Sequence, residues 1–431
     1  MFKTPFTVCY RFASFLIPLW IIGCEPPFTS RKETGDSSVE NTVSNKDDAG
    51  IDSPDSGTDP CITPDLDGIR LEANYIHACQ YLPSDKTDGA YGAINDYYGS
   101  PTWVVPGELS IAGMGLLRAS EVLNDSSYRD AASYAADYLV RIQDKTFGGW
   151  HDQYDHTTIV NQAMSLRNTA QALIFINKLG IQSSRMAAMI NGAGFIQTCQ
   201  GMKNKGGIDD GLVSGGRDAN LNFQTFRWLS DNAYAYQALQ AAARWADQDG
   251  DESNAQGFRV SALQILNGIT TYFLDASKTH WKRVIDQNDV TVISESATAD
   301  WISYAPVLLD LPLGDISPTA VGDWTHQTLQ QTNGAVVQDN QTNKNNQSPG
   351  YSFQASLAWS KTGQCAYIQS AMNWAIKSSL WQKTTDMNGI TGGWIDWTNT
   401  VTATSAKQYE RFVDTSAYAI MNWSGGYSFT P

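Results

Sequence analysis

The stretch Gly148-Gly149-Trp150-His151-Asp152 (GGWHD) returns near the C-terminus as Gly392-Gly393-Trp394-Ile395-Asp396 (GGWID). Looser copies stand before and between the two: Gly89 in GAYGA, Gly207 in GGIDDG, Gly334 in GAVVQD, and Trp281, which marks a copy without the glycine pair. Together with Gly148 and Gly393 these marks are separated by 59, 59, 74, 53 and 59 residues. Each interval holds two helices and two loops, and six such units suit a ring that closes on itself, each packing on its neighbours. The sequence between the marks agrees. Apolar residues fall three and four apart over 107–123, 127–143, 160–179, 227–246, 256–274, 296–310 and 364–380, with few β-branched runs and sparse strand signals. Gly107, Gly180 and Gly363 punctuate helix ends, and Asn124-Asp125-Ser126 supplies capping types. The fold class is all-α.

The helix after each mark is rich in small residues (IAGMG, NTAQA, NAYA, SATA, SLAW, SAYA). Small side chains let helices crowd, so these form the inner ring and the helices before the marks the outer one. All six marked loops then lie on one face, where six inner-helix N-termini converge with their positive dipole ends and unpaired N–H groups. A concave, polar, aromatic-lined mouth of that kind is the expected binding site.

The N-terminus reads differently. Residues 1–23 carry Lys3 and Arg11, an apolar run from Phe12 to Ile22, and the ending Ile21-Ile22-Gly23-Cys24. This reads as a signal peptide, not a membrane span. The ending resembles a bacterial lipobox, which implies that Cys24 becomes the lipidated first residue of an envelope protein. Residues 24–60 are rich in Ser, Thr, Asp, Gly and Pro and form a disordered tether. Residues 61–431 make up the helical domain. They carry 24 basic against 35 acidic residues, which disfavours nucleic acid as a partner. Four cysteines remain there, Cys61, Cys79, Cys199 and Cys365; outside the cytoplasm they permit two disulfides, with Cys61–Cys79 the favoured pair. Their single spacing gives no zinc motif, and no Walker loop, HExxH, GxGxxG or serine nucleophile elbow is present. No cofactor or metal is expected.

The repeat count, the GGW loops and the segment GLVSGG (211–216), followed by RWLSDNAYAYQAL (227–239), resemble the six-hairpin glycosidase-like superfamily over residues 65–425. That resemblance implies an (α/α)6 toroid and action on poly- or oligosaccharide. Gln143 through Trp150 is also similar to the glutamine–tryptophan repeat of terpene cyclases, but the aspartate-rich proton-donor motif of that group is missing.

Aligning the inner-helix starts puts Glu108, Arg167, Asp231, Glu295, Phe353 and Asp414 at one level. Glycoside hydrolysis needs two carboxyl groups flanking the scissile bond, and clustered carboxylates raise one another's pKa. Asp231, Glu295 and Glu108 are the catalytic candidates here, although acids also favour helix starts for capping reasons alone. Asp209 and Asp210, in a Gly-rich loop, are the candidates from the marked loops. The other loop acids are Asp88, Asp96, Asp152, Asp155, Asp339 and Asp396; Asp152 and Asp396, each two residues after a GGW tryptophan, are expected to serve turns or caps more often than chemistry. Trp103, Trp228 and Trp150 suit the apolar faces of sugars, although for Trp150 and Trp394 wedging of adjacent hairpins is the favoured role. Arg167 and Arg227 complete the substrate-binding set; in a polysaccharide lyase they would neutralise a uronate. The alternatives to a hydrolase are such a lyase, or a non-catalytic glycan-binding or surface-assembly lipoprotein.

Overall fold

The computed structural model describes residues 61–96, 102–201, 211–286, 292–294, 303–312, 314–338, 340, 346–381, 390–395 and 411–431. Among them twelve α-helices follow one another: α1 (Leu66–Ala78), α2 (Pro106–Leu123), α3 (Ser126–Ile142), α4 (Leu166–Lys178), α5 (Ser183–Gln200), α6 (Leu229–Asp249), α7 (Glu252–Gly268), α8 (Ala305–Leu308), α9 (Pro318–Leu329), α10 (Pro349–Ser360), α11 (Cys365–Lys377) and α12 (Val413–Trp423). The α7 helix runs on as a π-helical turn over Ile269–Phe273. The even-numbered helices pack in order, α2 on α4, α4 on α6, and so on to α12, which returns to α2. The inner ring is closed, and the odd-numbered helices pack outside it. Small residues let it close: a Cβ on Gly113 would meet the Phe175 ring of α4, and one on Gly115 would lie 2.6 Å from Ala417 Cβ of α12. No helix among the described residues is long and apolar enough to cross a membrane.

Each hairpin is made by the same local device. A left-handed glycine follows the outer helix at Gly92, Gly148, Gly211, Gly334 and Gly392, with φ between 73° and 98°. At the first four, a Cβ would collide with a backbone carbonyl of the next outer helix (Tyr134, Asn191, Gln264 and Ser370), so only glycine allows the contact. Two residues later stands a fully buried side chain: Ile94, Trp150, Val213, Val336 or Trp394. Trp281 fills that role in the fourth unit, where Lys278 takes the left-handed conformation at φ 58°.

A glutamine at the end of the outer helix locks the turn. Gln143 Nε2 donates to Gly148 O (2.7 Å) and to Ala188 O of the next outer helix (2.9 Å). Gln80, Gln200 and Gln330 make the same pair of bonds, to Gly92 and Ala131, Gly211 and Ser261, and Gly334 and Tyr367. The working register is therefore Gly92 and Gly211, not the marks at Gly89 and Gly207; Gly207 lies outside the described residues.

Short antiparallel strands join successive units at the mouth. Trp103–Val104 pairs with Gln153–Asp155, which pairs with Thr158–Asn161; Met164–Ser165 pairs with Gly216–Arg217; Phe226–Trp228 pairs with Val284–Asp286. These strands shorten the helix expected over 160–179, which begins only at Leu166, capped by Ser165 accepting from Asn168 N (3.2 Å).

The expected Cys61–Cys79 pair does not form. Cys61 is bonded to Cys365 across 304 residues of sequence, while Cys79 and Cys199 are buried thiols. Ring closure is the reason: it brings the start of the domain against α11, a neighbour that sequence distance hides. Burial pushes the Cys199 thiol up to about 12.

Candidate active site

Glu108, Arg167, Asp231 and Asp414 each stand in the first turn of an inner helix, whereas Phe353 turns into the core against Trp394 and Trp423, with ring centroids 5.0 and 6.1 Å apart. Asp231, in the first turn of α6, is only 3 % exposed. Arg167, in the first turn of α4, points Nε at Asp231 Oδ1 (3.4 Å) and donates from Nη2 to Ser230 Oγ (3.1 Å). Burial raises the Asp231 pKa; the Arg167 charge and its hydrogen bond oppose the shift, and Asp152 reinforces it. The result is a desolvated carboxyl with a cation beside it, at the mouth end of an inner helix.

Glu108, half-buried in the first turn of α2, shares a hydrogen bond with the Asp96 carboxyl. Asp96 follows the Ile94 wedge by two residues, and Asp152 follows the Trp150 wedge likewise. The two serve differently. Asp152 caps α4, accepting from Ser165 N (2.7 Å) and Asn168 Nδ2 (3.1 Å), with its pKa raised by burial. Asp96 accepts the Val413 N–H through its carbonyl (3.1 Å), tying the first unit to the last, and burial raises its carboxyl as well. Carboxyls thus approach the mouth from α2, its loop and α6, with Asp414 half-buried at the start of α12.

The aromatic candidates separate by depth. Trp103 is 41 % exposed on the rim strand that leads into α2. Trp228 is half-buried on the strand leading into α6, with the Arg283 guanidinium 5.5 Å from its ring centre and Phe226 beside it. Trp150 is fully buried, and its Nε1 donates to Leu139 O (2.8 Å). Burial assigns it to wedging, as it does Trp394, and not to ligand contact. Arg227 is likewise buried, on the strand paired with Ile285, behind the mouth surface. Glu295, Asp209, Asp210 and Cys24 lie outside the described residues. Ser230, which holds Arg167 beside Asp231, escaped the sequence alignment. So did Tyr234 and Tyr418, although each follows an aligned acid by three or four residues, the spacing of one helix face. Among the described residues no cluster of three or more His, Cys, Asp and Glu side chains is arranged to hold a metal ion.

Solved structures share this architecture. A sugar epimerase from a ruminal bacterium superposes with TM-score 0.60 at 13 % identity, covering 83 % of this chain and 98 % of its own. Cellobiose 2-epimerase from Bacillus thermoamylovorans does so with TM-score 0.58 at 10 % identity, over 83 % of this chain and 99 % of its own. A glycosidase solved with glucose gives TM-score 0.58 at 11 % identity, over 85 % and 97 %. The shared fold is an (α/α)6 toroid. No family model matches the sequence, and no curated protein does. Within such a toroid the converging N-termini of α2, α4, α6 and α12 mark the mouth, and every described acid discussed above belongs to it or to its loops.

Proposed function

We propose that this chain is an extracytoplasmic carbohydrate-active enzyme, a glycoside hydrolase whose site is the mouth of the toroid. One observation carries the reading: Asp231, buried at the mouth end of α6 and flanked by Arg167 and Ser230, at the same level as Glu108. Hydrolysis of a glycosidic bond takes one carboxyl to protonate the leaving oxygen and another to activate water or attack the sugar. A carboxyl that burial keeps protonated above the usual range suits the first task. The Asp96–Glu108 pair shares hydrogen-bonding protons and suits the same chemistry from the α2 side. Trp103 and Trp228 offer rings to the sugar. Solved toroids described as glycosidases, epimerases and an isomerase support a sugar substrate. Arg167 is already engaged by Asp231 and Ser230, which favours hydrolysis over a lyase that needs the cation for a uronate. In this reading the lipid on Cys24 and the 24–60 tether hold the domain at the bacterial envelope, with no cofactor and no nucleic acid involved.

The test compares the protein with Asp231→Asn on neutral and uronate-containing glycans, following reducing ends and ultraviolet absorbance together. Reducing ends without absorbance, lost in the variant, are expected. Absorbance would mean a lyase. Sugar interconversion without new ends would mean an epimerase or isomerase. Binding with no product would leave a glycan-binding lipoprotein.

A further inference from the structure

We infer that the outer wall carries a second glycan-binding site, in a cavity between α11 and the Gly334 turn; its ligand class rests on the sugar-active reading above. Trp374, Asn373, Ser370 and Lys377 of α11 line it, with Ser378 at the helix end and Asn333 of the turn. Its volume is about 410 Å³, inside the roughly 300–1,000 Å³ usual for small-ligand sites.

Elsewhere in the ring the repeat fills this place. Tyr134 of α3, Asn191 of α5 and Ser370 of α11 are equivalent, because each presents the carbonyl that a Cβ on the preceding turn's left-handed glycine would strike. One helical turn further on stand Tyr138, Phe195 and Trp374. Tyr138 and Phe195 are buried, at 0 and 2 % exposure, but Trp374 is only half-buried. The residue just before the glycine changes with it. Tyr91 packs on Tyr134 with ring centroids 5.1 Å apart, and the Phe147 ring lies 4.5 Å from the Arg217 guanidinium. The fifth turn has the smaller Asn333 there, exposed. Two helical turns beyond the shared carbonyl, Arg141 reaches back to Gly89 O (3.2 Å) and to Tyr91 O. Lys377 holds that position on α11 and is exposed; among the described residues no hydrogen bond or ion pair engages it. The groove that large side chains close between earlier units is therefore left open here.

Its walls are firm. Asn333 Oδ1 accepts from Ala335 N (3.0 Å), and its Nδ2 donates to Gln347 Oε1 (3.4 Å). Ser378 Oγ donates to Ala375 O (2.6 Å). The lining is the complement of a sugar. One indole offers its face to the C–H side of a pyranose, while Asn373, Ser370 and Lys377 supply donors and acceptors for hydroxyls. No acid lines the cavity among the described residues, although acids outnumber bases in the domain. A neutral or a uronate-bearing chain therefore meets no repulsion there.

The experiment titrates the full chain with hexasaccharides of glucose, mannose, xylose and a uronic acid by calorimetry. Asp231→Asn is present throughout so that no ligand is consumed, and Trp374→Ala, Asn373→Ala and Lys377→Ala are each added to it. Asn373 is exposed on α11, where alanine favours the helix, so its variant reports even if Trp374→Ala fails to fold. At least one hexasaccharide should bind with a component that Trp374→Ala weakens about 10-fold. Asn373→Ala should weaken the same component about 2- to 10-fold. Weakening by Lys377→Ala of the uronate ligand alone would identify an acidic glycan; equal binding in that variant would identify a neutral one. Binding that ignores both Trp374→Ala and Asn373→Ala, or no binding of any hexasaccharide, would overturn the inference. Hydrolysis by the unaltered protein is assayed alongside. Hydrolysis without Trp374-dependent binding removes this inference and leaves the hydrolase reading; Trp374-dependent binding without hydrolysis does the reverse.

Discussion

At the scale of single residues, the proposed chemistry rests on the contact between Asp231 and Arg167. Both were legible in the sequence, because a repeat alignment compares equivalent helix starts without needing coordinates. The same alignment placed Phe353 in the ring, which it leaves for the core: one residue of helix rotation separates mouth from interior, and sequence spacing does not resolve it. If Asp231 is catalytic, Asp231→Asn lowers kcat/KM by at least about 100-fold, the usual weight of a general acid or base, with circular dichroism unchanged. The pH dependence has a definite sign. Burial raises the Asp231 pKa, and the Arg167 charge is the leading opposing cause. Arg167→Gln removes the opposing cause, so the limb of the kcat/KM profile that belongs to Asp231 moves to higher pH, whether that limb reports an acid or a base. A limb that moves down, or stays, contradicts the electrostatic account.

At the scale of elements, the hairpin rests on a left-handed glycine, a buried wedge two residues later and a glutamine that clamps the next outer helix. GGW exposed the motif at Gly148 and Gly392, where the wedge is tryptophan. It was obscured elsewhere because Ile94, Val213 and Val336 do the same packing without a distinctive letter, and because GAYGA and GGIDDG each hold more than one glycine. The clamp was invisible, since one of the glutamine's carbonyl partners lies in the turn and the other on the next outer helix. Gly148→Ala must therefore place a Cβ against Asn191 O as well as strain a φ of 83°. Gly363→Ala, at φ 69° with nothing within 4 Å, bears the strain alone, about 1–2 kcal/mol. Thermal melts should rank Gly148→Ala clearly below Gly363→Ala; equal midpoints would mean that the close approach is not needed. Gln143→Leu strands two buried carbonyls and should cost roughly 1–3 kcal/mol, read as a lower midpoint.

The whole molecule depends on closing the ring; the six repeats foretold that closure, but the contacts that make it join residues about 300 positions apart and were not legible in the sequence. Glu72 of α1 is fully buried and accepts from Trp381 Nε1 (2.8 Å), Gly393 N (3.0 Å) and Ser416 Oγ (2.6 Å), all of the last unit. Asp65 N donates to Trp423 O (3.3 Å), so the chain enters the domain at the end of α12 remote from the mouth. The Cys61–Cys365 bond spans the same seam, and a native disulfide typically stabilises by about 2–4 kcal/mol. Reduction, or Cys365→Ser, should lower the midpoint while leaving hydrolysis at moderate temperature unchanged; loss of activity without loss of stability would give the bond another role.

The most direct test of the central claim is a crystal structure of the Asp231→Asn protein with an oligosaccharide that the unaltered protein cleaves. The account predicts a sugar inside the mouth, within hydrogen-bond reach of position 231 and Glu108, with the chain leaving past Trp103 or Trp228. A sugar bound only on the outer helices would contradict it.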